Sequence, residues 1–596
     1  MAENSKKLRE KTAVVREMKN TAKTVKLRLG EAIGQTMKAC GVEYFFYVSG
    51  GAFIPTYPML EKAGINLVLC RNEKTATNMA DGYARVTGKP TFCYGQHGAA
   101  AAILASMLYE PWYAHSPVIA INPTILPRDR WSYQEMHEMK FFDEVCKFNV
   151  EVTDPSRIAE YVRTAIQMAV SGCPGPTHIN ARLNIRGTEL VEMPEIYGDK
   201  TFFKVPPFRP KAEIERIKEA AKLLAGAERP VMACGGGVHI SGAYEEVKKL
   251  AEMLSIPVVT NPPGKGCFPE DHPLYMGVSG TYGTMLANNT LGGADLVFFV
   301  GTRAGGHMTA NLTVPEPGAS KIIHLDIDPA ALGRNYKPDV PLLGDVKVTL
   351  QELLDVLKTM AVKPKAKGQR LQEIAKAKKE YESIIGPMMD SDAVPIKPQR
   401  LMKEVSKILR PNDIVVSDTG QMMQWTCRML RLKGTGITYL PCGGTLGSSF
   451  GLALGASFGA AKDQRVIHLT GDGGMGYNIA DLETAVRTKD QHAPFVCIVN
   501  DNACLAQVRP GHEDFSKKEA PCIKYTDFYP LDYAKIAEAF GCYGIRVERP
   551  EEIADAIEKA FDSGKPAIVD VVTDRREYAP AGMDRKGYPS LNIPPY

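Results

Sequence analysis

The stretch "VIHLTGDGGMGYNIADLETAV", Val466 to Val486, decides the fold. An apolar run stops at Gly471-Asp472-Gly473-Gly474, and a helix-like segment follows at once. In a parallel sheet, ligands gather beyond the carboxyl ends of the strands, where glycines let backbone N–H groups approach a phosphate. A second apolar run, "PFVCIVN", delivers Asn500, Asp501 and Asn502 to its own end. Asp472 and Asn502 then converge above neighbouring strands as two hard oxygen donors. That pairing suits Mg²⁺, which takes oxygen ligands and is completed by phosphates and water. The competing reading makes the glycines a tight turn and Asp472 the cap of the next helix.

Around this stretch the chain reads as a multidomain α/β protein. Its 596 residues exceed one hydrophobic core. Lys plus Arg exceed Asp plus Glu by 72 − 68 = 4, too small a surplus for a nucleic-acid or membrane surface. Thirteen cysteines form no CxxC pair, no apolar run approaches the roughly 20 residues that span a bilayer, and a cytoplasmic location is expected. Residues 1–26 read as an exposed, charged leader. Short apolar runs alternate with helical segments over 27–190, where the first unit ends near Gly187. The bridge "FFKVPPFRPKAEIERI" leads to a second such unit over 208–360, with "PVMACGGGV", "IPVVTNPP" and "KIIHLDIDP". A polar linker, 361–395, precedes a third unit over 396–575, and 576–596 forms a Pro- and Tyr-rich tail. Three doubly wound parallel-sheet domains are therefore expected.

The stretch "GDGGMGYNIADLETAVRTKDQHAPFVCIVNDNA" resembles the thiamine-diphosphate (ThDP) motif of the acetolactate synthase superfamily, which includes oxalyl-CoA decarboxylase and sulfoacetaldehyde acetyltransferase. The resemblance covers roughly residues 25 to 575. It implies pyrimidine-binding, central and diphosphate-binding domains, with Mg²⁺ held by the side chains of Asp472 and Asn502 and the carbonyl of Cys504. It extends cofactor contacts to Gly471, Gly473 and Gly474. Asp501 stands where the family usually has Asn, adding a negative charge beside the metal. "LVLCRNEKTATNMADGYARVTG" resembles the family stretch carrying the catalytic Glu, which falls on Glu73, with Asn72 in place of the usual His. That carboxyl would share a proton with the coenzyme's pyrimidine. "GGTLGSSFGLALGA" places the side chain that bends the coenzyme at Leu446, in place of Met, and a carbonyl acceptor at Gly444. "SDTGQMMQW" implies diphosphate contacts at Thr419, Gly420 and Gln421, with Asp418 alternatively a helix cap, and Gly50 and Gly51 complete the cofactor set.

On the substrate side, "YGQHGAAAA" puts His97 where many relatives carry a small residue, so a catalytic contact to the reacting carbonyl stands against a core histidine bonded to a backbone carbonyl. Gln134 aligns with a family Gln facing the coenzyme, and Trp131, Tyr133 and His137 flank it; His115 reads as structural. "GQHG" and "FDEVCKFNVEVTDPSRIAEYV" resemble the sulfoacetaldehyde acetyltransferase branch. In the central unit Asp326 and Asp328 suit an adenine nucleotide, yet "GTRAGGHM" lacks the Arg-Phe-Asp-Asp that accompanies FAD, leaving FAD, ADP or CoA open. Arg575, Arg576, Arg585 and Lys586 are either phosphate contacts or a solvated terminus. In the family, Glu73 and Asp472 come from different subunits, so the resemblance implies at least a homodimer, with tetramers common. The activity implied is a ThDP- and Mg²⁺-dependent carbon–carbon lyase or synthase acting on a 2-oxo acid or related carbonyl. The alternatives are an acyl-CoA lyase, an acetyl-transfer enzyme, or a non-catalytic nucleotide-binding relative.

Overall fold

The computed structural model describes residues 23–124, 133–182, 187–361, 368–510 and 525–579. Trp131, Arg585, Lys586 and most of the leader and tail lie outside them. Beyond the short antiparallel pair β1 (Thr24–Arg28) and β8 (Leu190–Pro194), the strands form three six-stranded parallel sheets. β8 begins at residue 190, the expected end of the first unit, and pairs with β1 at that unit's start.

The first sheet contains β2 (Tyr44–Tyr47), β3 (Asn66–Leu69), β4 (Thr91–Tyr94), β5 (Val118–Thr124), β6 (Phe148–Val152) and β7 (Thr177–Arg182). Their order is β3-β2-β4-β5-β7-β6. The second contains β9 (Pro230–Cys234), β10 (Val258–Thr260), β11 (Tyr275–Val278), β12 (Leu296–Val300), β13 (Lys321–Asp326) and β14 (Val340–Leu343), ordered β11-β10-β9-β12-β13-β14. Counted from its own first strand this is 3-2-1-4-5-6, the dinucleotide-fold order. The third contains β15 (Ile414–Ser417), β16 (Tyr439–Pro441), β17 (Val466–Gly471), β18 (Phe495–Asp501), β19 (Tyr543–Val547) and β20 (Ala567–Val572), ordered β16-β15-β17-β18-β20-β19. The first and third sheets therefore share one wiring, 2-1-3-4-6-5, and the central sheet has another. Their central strands, such as β5, β12 and β18, are apolar runs buried on both faces, as parallel strands require, while edge strands such as β3, β6 and β19 are partly open.

Most of the polar stretch expected as a linker, 361–395, is a 22-residue helix, Gly368–Met389. Its Lys, Glu, Gln and Ala are strong helix formers despite their charge.

The first and third domains meet through two helices that follow the second strand of each sheet, Glu73–Thr87 and Ser449–Gly459. Glycine makes the contact possible. A Cβ on Gly82 would lie 1.9 Å from the Leu452 carbonyl oxygen, and one on Gly455 would lie 2.0 Å from that of Met79. Backbone therefore packs on backbone, and the crossing fixes the first turn of one helix against the entry of the other. Lys74 Nζ, 3.0 Å from the Tyr477 carbonyl oxygen, donates across this junction, and Thr75 donates to Asp481 at 2.6 Å.

Candidate active site

The diphosphate-side residues converge at the carboxyl edge of the third sheet. β17 and β18 pair in parallel with Gly471 opposite Asn500, which puts Asp472 and Asn502 side by side. Asp472 opens the short helix Asp472–Met475 as its first residue, after Gly471, rather than capping it from outside. Backbone N–H groups of Gly473 and Asn502 donate to its carboxylate, yet burial and the nearby charge of Asp501 push it up to about 7. Asn502 Oδ1 accepts from Cys504 N at 3.2 Å and from its thiol at 3.3 Å. Burial and the Asp472 charge raise that thiol to about 11, so Cys504 also faces the carboxylate. Asp501 is not left bare, because Arg546 lies 3.4 Å from it and 2.5 Å from Asp570.

The loops after β15 and β16 join this edge. Gln421 donates to the Ala506 carbonyl at 3.1 Å, tying the Thr419–Gln421 turn to the loop after β18. Asp418 is a buried strut that accepts from Thr470 Oγ1 (2.8 Å), Thr419 N (2.8 Å) and Gly447 N (3.3 Å). Gly474 can only be glycine, since a Cβ there would sit 1.9 Å from Asp418 Oδ2. Leu446, expected to bend the coenzyme, is half-buried, and Gly444 near it is exposed. Glu110, from the first domain, grips this loop through Gly443 N (2.5 Å) and Thr445 N (2.9 Å). Its sequence signal was a charged residue among apolar neighbours in "LYEPWY", too weak to single it out.

The pyrimidine-side residues gather at the carboxyl edge of the first sheet. Glu73 is the first residue of its helix, with Asn72 capping through a 2.8 Å bond from Lys74 N. Its side chain packs on Gly95, where a Cβ would come within 2.9 Å of Glu73 Cγ. Gly50 lies against Gln96 and Tyr94, and a Cβ on Gly51 would meet open space. His97 is buried, and its Nδ1 has no hydrogen-bond partner among the described residues, so the backbone-bonded core histidine is not seen at that atom. Burial lowers the ring's affinity for a second proton. Gly98 (φ +71°) presses against Gln134 (φ +67°), which brings His97 and Gln134 together. Tyr133 is 85% exposed and His137 is exposed as well, whereas His115 is tied to Cys173 Sγ at 3.1 Å.

The residues present fit both groups that the motifs imply. The donors that would hold the metal are a carboxylate (Asp472), an amide oxygen (Asn502) and a carbonyl (Cys504), all hard oxygens. Cβ atoms added at Gly51, Gly444 and Gly471 would touch nothing within 4 Å, so these loops border open space that a ligand can fill. Among the described residues no cluster of three His, Cys, Asp or Glu competes for a cation.

Comparison with known proteins agrees. Residues 27–141 match the thiamine pyrophosphate enzyme N-terminal TPP binding domain, 217–353 the central domain and 418–571 the C-terminal TPP binding domain. The chain is 35% identical over 564 residues to a probable acetolactate synthase large subunit of Methanocaldococcus jannaschii, covering 92% of each. It is 30% identical to an acetolactate synthase of Mycobacterium bovis (91% of this chain, 87% of the other) and 28% identical to a glyoxylate carboligase of Escherichia coli O157:H7 (92% and 94%). The chain belongs to the thiamine-diphosphate-dependent enzymes of the acetolactate synthase superfamily. No helix among the described residues is long and apolar enough to cross a membrane.

Proposed function

We propose that this enzyme joins or cleaves a carbon–carbon bond beside the carbonyl of a 2-oxo acid, acetolactate-synthase-like, with ThDP anchored through Mg²⁺. One observation carries the reading. Two domains of identical wiring present, each at the carboxyl edge of its sheet, a carboxyl on one (Glu73, after the second strand) and an all-oxygen donor set on the other (Asp472, Asn502 and the Cys504 carbonyl, after the third and fourth strands). When bound, ThDP supplies an electron sink for a carbanion at the former carbonyl carbon.

The chain's own residues do the rest. Glu73 holds a proton at its carboxyl for the pyrimidine ring. Asp472, Asn502 and the Cys504 carbonyl hold the cation, while Thr419, Gly420, Gln421, Gly471, Gly473 and Gly474 line the diphosphate. Gly444 offers its carbonyl to the pyrimidine amino group, Leu446 supports the bend, and Gly50 and Gly51 border the ring. His97, its Nδ1 unpartnered among the described residues, donates to the reacting carbonyl oxygen, and Gln134 orients it. Arg546 offsets the extra charge of Asp501, which keeps the site suited to a divalent cation.

The proposed assembly is at least a homodimer and, by family habit, a tetramer, in which Glu73 and Asp472 of different subunits share one coenzyme. Exposed Ile54, Tyr477, Phe528 and Tyr529 beside the two edges supply apolar surface for it. The proposed location is the cytoplasm; no disulfide occurs among the described residues. In the central domain, Arg303 lies over the Trp112 and Tyr113 rings, and Asp326 is buried at the end of β13, a place for an adenine nucleotide such as FAD, ADP or CoA. A visible absorption spectrum of the purified protein reads flavin directly.

The deciding experiment titrates ThDP into the purified protein with and without Mg²⁺, then supplies 2-oxo acids and assays acetolactate. Saturable, Mg²⁺-dependent uptake with product is expected; no uptake sinks the reading.

A further inference from the structure

Behind the two substrate-facing residues lies a buried polar chain that the proposed reaction does not use. Glu138 is 3% exposed, Asn122 and His178 are 0% exposed, and Asn180 is 2% exposed. Glu138 Oε1 accepts from Gly98 N at 2.5 Å, and Oε2 accepts from Asn122 Nδ2 at 2.9 Å and Asn180 Nδ2 at 3.2 Å. Burial raises the Glu138 carboxyl above its usual range while these hydrogen bonds pull it down; three N–H donors on two oxygens call for a carboxylate, since a carboxylic acid would point its own proton at a donor.

The amide orientations fix the proton count on His178. Asn122 Nδ2 donates to the Pro123 carbonyl (2.9 Å) as well as to Glu138, so a flip would turn its oxygen on two acceptors. Its Oδ1 therefore faces His178 Nε2. Asn149 Nδ2 donates to the Met139 carbonyl and to Asp143 Oδ1, each at 2.7 Å, which leaves its Oδ1 facing His178 Nδ1, also at 2.7 Å. Both ring nitrogens thus meet oxygen. A neutral imidazole would hold one lone pair against another, and only the imidazolium donates twice. Burial acts against that charge and pushes the ring down to about 3. The hydrogen-bond pattern is the firmer guide, because two oriented acceptors and a carboxylate beyond each, Glu138 past Asn122 and Asp143 past Asn149, compensate a buried cation.

We propose that Glu138, kept ionised by a doubly protonated His178 acting through Asn122, is a positioning residue that aims His97 and Gln134 at the substrate carbonyl. The inference rests on the functional reading above. Glu138 holds the N–H of Gly98, the residue after His97, and it follows Gln134 by four residues on the segment that leads into the helix Met139–Phe142. A Cβ on Gly98 would lie 2.8 Å from Gln134 Cβ, so one carboxylate locks two loops whose side chains must share one target. Misplacement by about 1 Å at such a distance from the chemistry can cost about 10²-fold in rate.

The test uses the full-length enzyme loaded with ThDP and Mg²⁺. Glu138→Gln and His178→Gln should each keep coenzyme affinity within about twofold while lowering kcat/KM for a 2-oxo acid by about 30- to 100-fold. The double variant should be no more than about threefold worse than the poorer single, because the residues act as one unit. Unchanged turnover, losses that multiply, or coenzyme affinity falling in step with turnover would overturn the proposal. A second measurement needs neither catalysis nor a stable Glu138 variant: ¹⁵N spectra of histidine-labelled wild type, assigned by the signal lost in His178→Gln. Two protonated ring nitrogens on His178 support the proposal, and one bare nitrogen overturns it. Failure of the wild type to take up ThDP sinks the functional reading, while the nitrogen spectrum still decides the charge pair.

Discussion

The first and third domains share one strand order but present different chemistry at matching places. After the first strand of each come Gly50 and Gly51 in one domain and Thr419 to Gln421 in the other. After the second come Glu73 and, in its counterpart, Gly444 and Leu446; after the third, His97 and Asp472; after the fourth, Gln134 and Asn502. The two interlocked helices are themselves counterparts, each following a second strand, so the domains meet about an approximate two-fold relation. In the proposed reading, one scaffold used twice presents proton-handling groups at one edge and cation- and phosphate-handling groups at the other. Strand wiring decides where a ligand can sit, and the loop residues decide what it is.

The largest expected break in this pairing is Glu73→Gln. It should lower kcat by about 10²- to 10⁴-fold with ThDP uptake retained, as steady-state rates beside calorimetry will show. Next, Gly455→Val drives a side chain into the Met79 carbonyl. It should cost about 3 kcal/mol in urea unfolding, the upper end of overpacking, and should separate the two domains. On the third-domain side alone, Asp472→Asn should weaken Mg²⁺-dependent coenzyme uptake by about a hundredfold, or about 2.7 kcal/mol, with secondary structure unchanged by circular dichroism.

The smallest effect concerns Asp418, whose carboxyl burial raises to about 6 from an ordinary 3.8. A raised acid stabilises the fold fully below pH 3.8, where it is protonated in both states, and loses that contribution as pH climbs through 6. Coenzyme-free Asp418→Asn lacks this titration. Its stability relative to wild type should therefore rise by about 2 kcal/mol between pH 4 and 6.5 in denaturant titrations, and an unchanged difference would count against the buried strut.

Much of the site could be read from the chain, because a strand end, a glycine and a polar residue in succession already specify a ligand edge in a parallel sheet. Asp472, Asn502 and Glu73 were singled out this way, together with the motif that each stands in, and the structure sets each just past a strand end. Glu110 and Glu138 were not. Each is an isolated carboxylate whose importance comes from backbone N–H groups far away in sequence, Gly443 and Thr445 for one and Gly98 for the other. The helix inside the linker was not anticipated, although its Lys, Glu, Gln and Ala lose little side-chain freedom in a helix.

The sequence by itself determined three α/β sheets, the family, and which residues stand at each strand end, since these follow from local periodicity and short motifs. Only the tertiary structure decided that the outer sheets are wired alike and the central one differently, that Gly82 and Gly455 let two helices touch backbone to backbone, and that Asn122, His178 and Glu138 form one chain. Those facts depend on contacts between residues tens to hundreds of positions apart, and no local pattern encodes a distant partner.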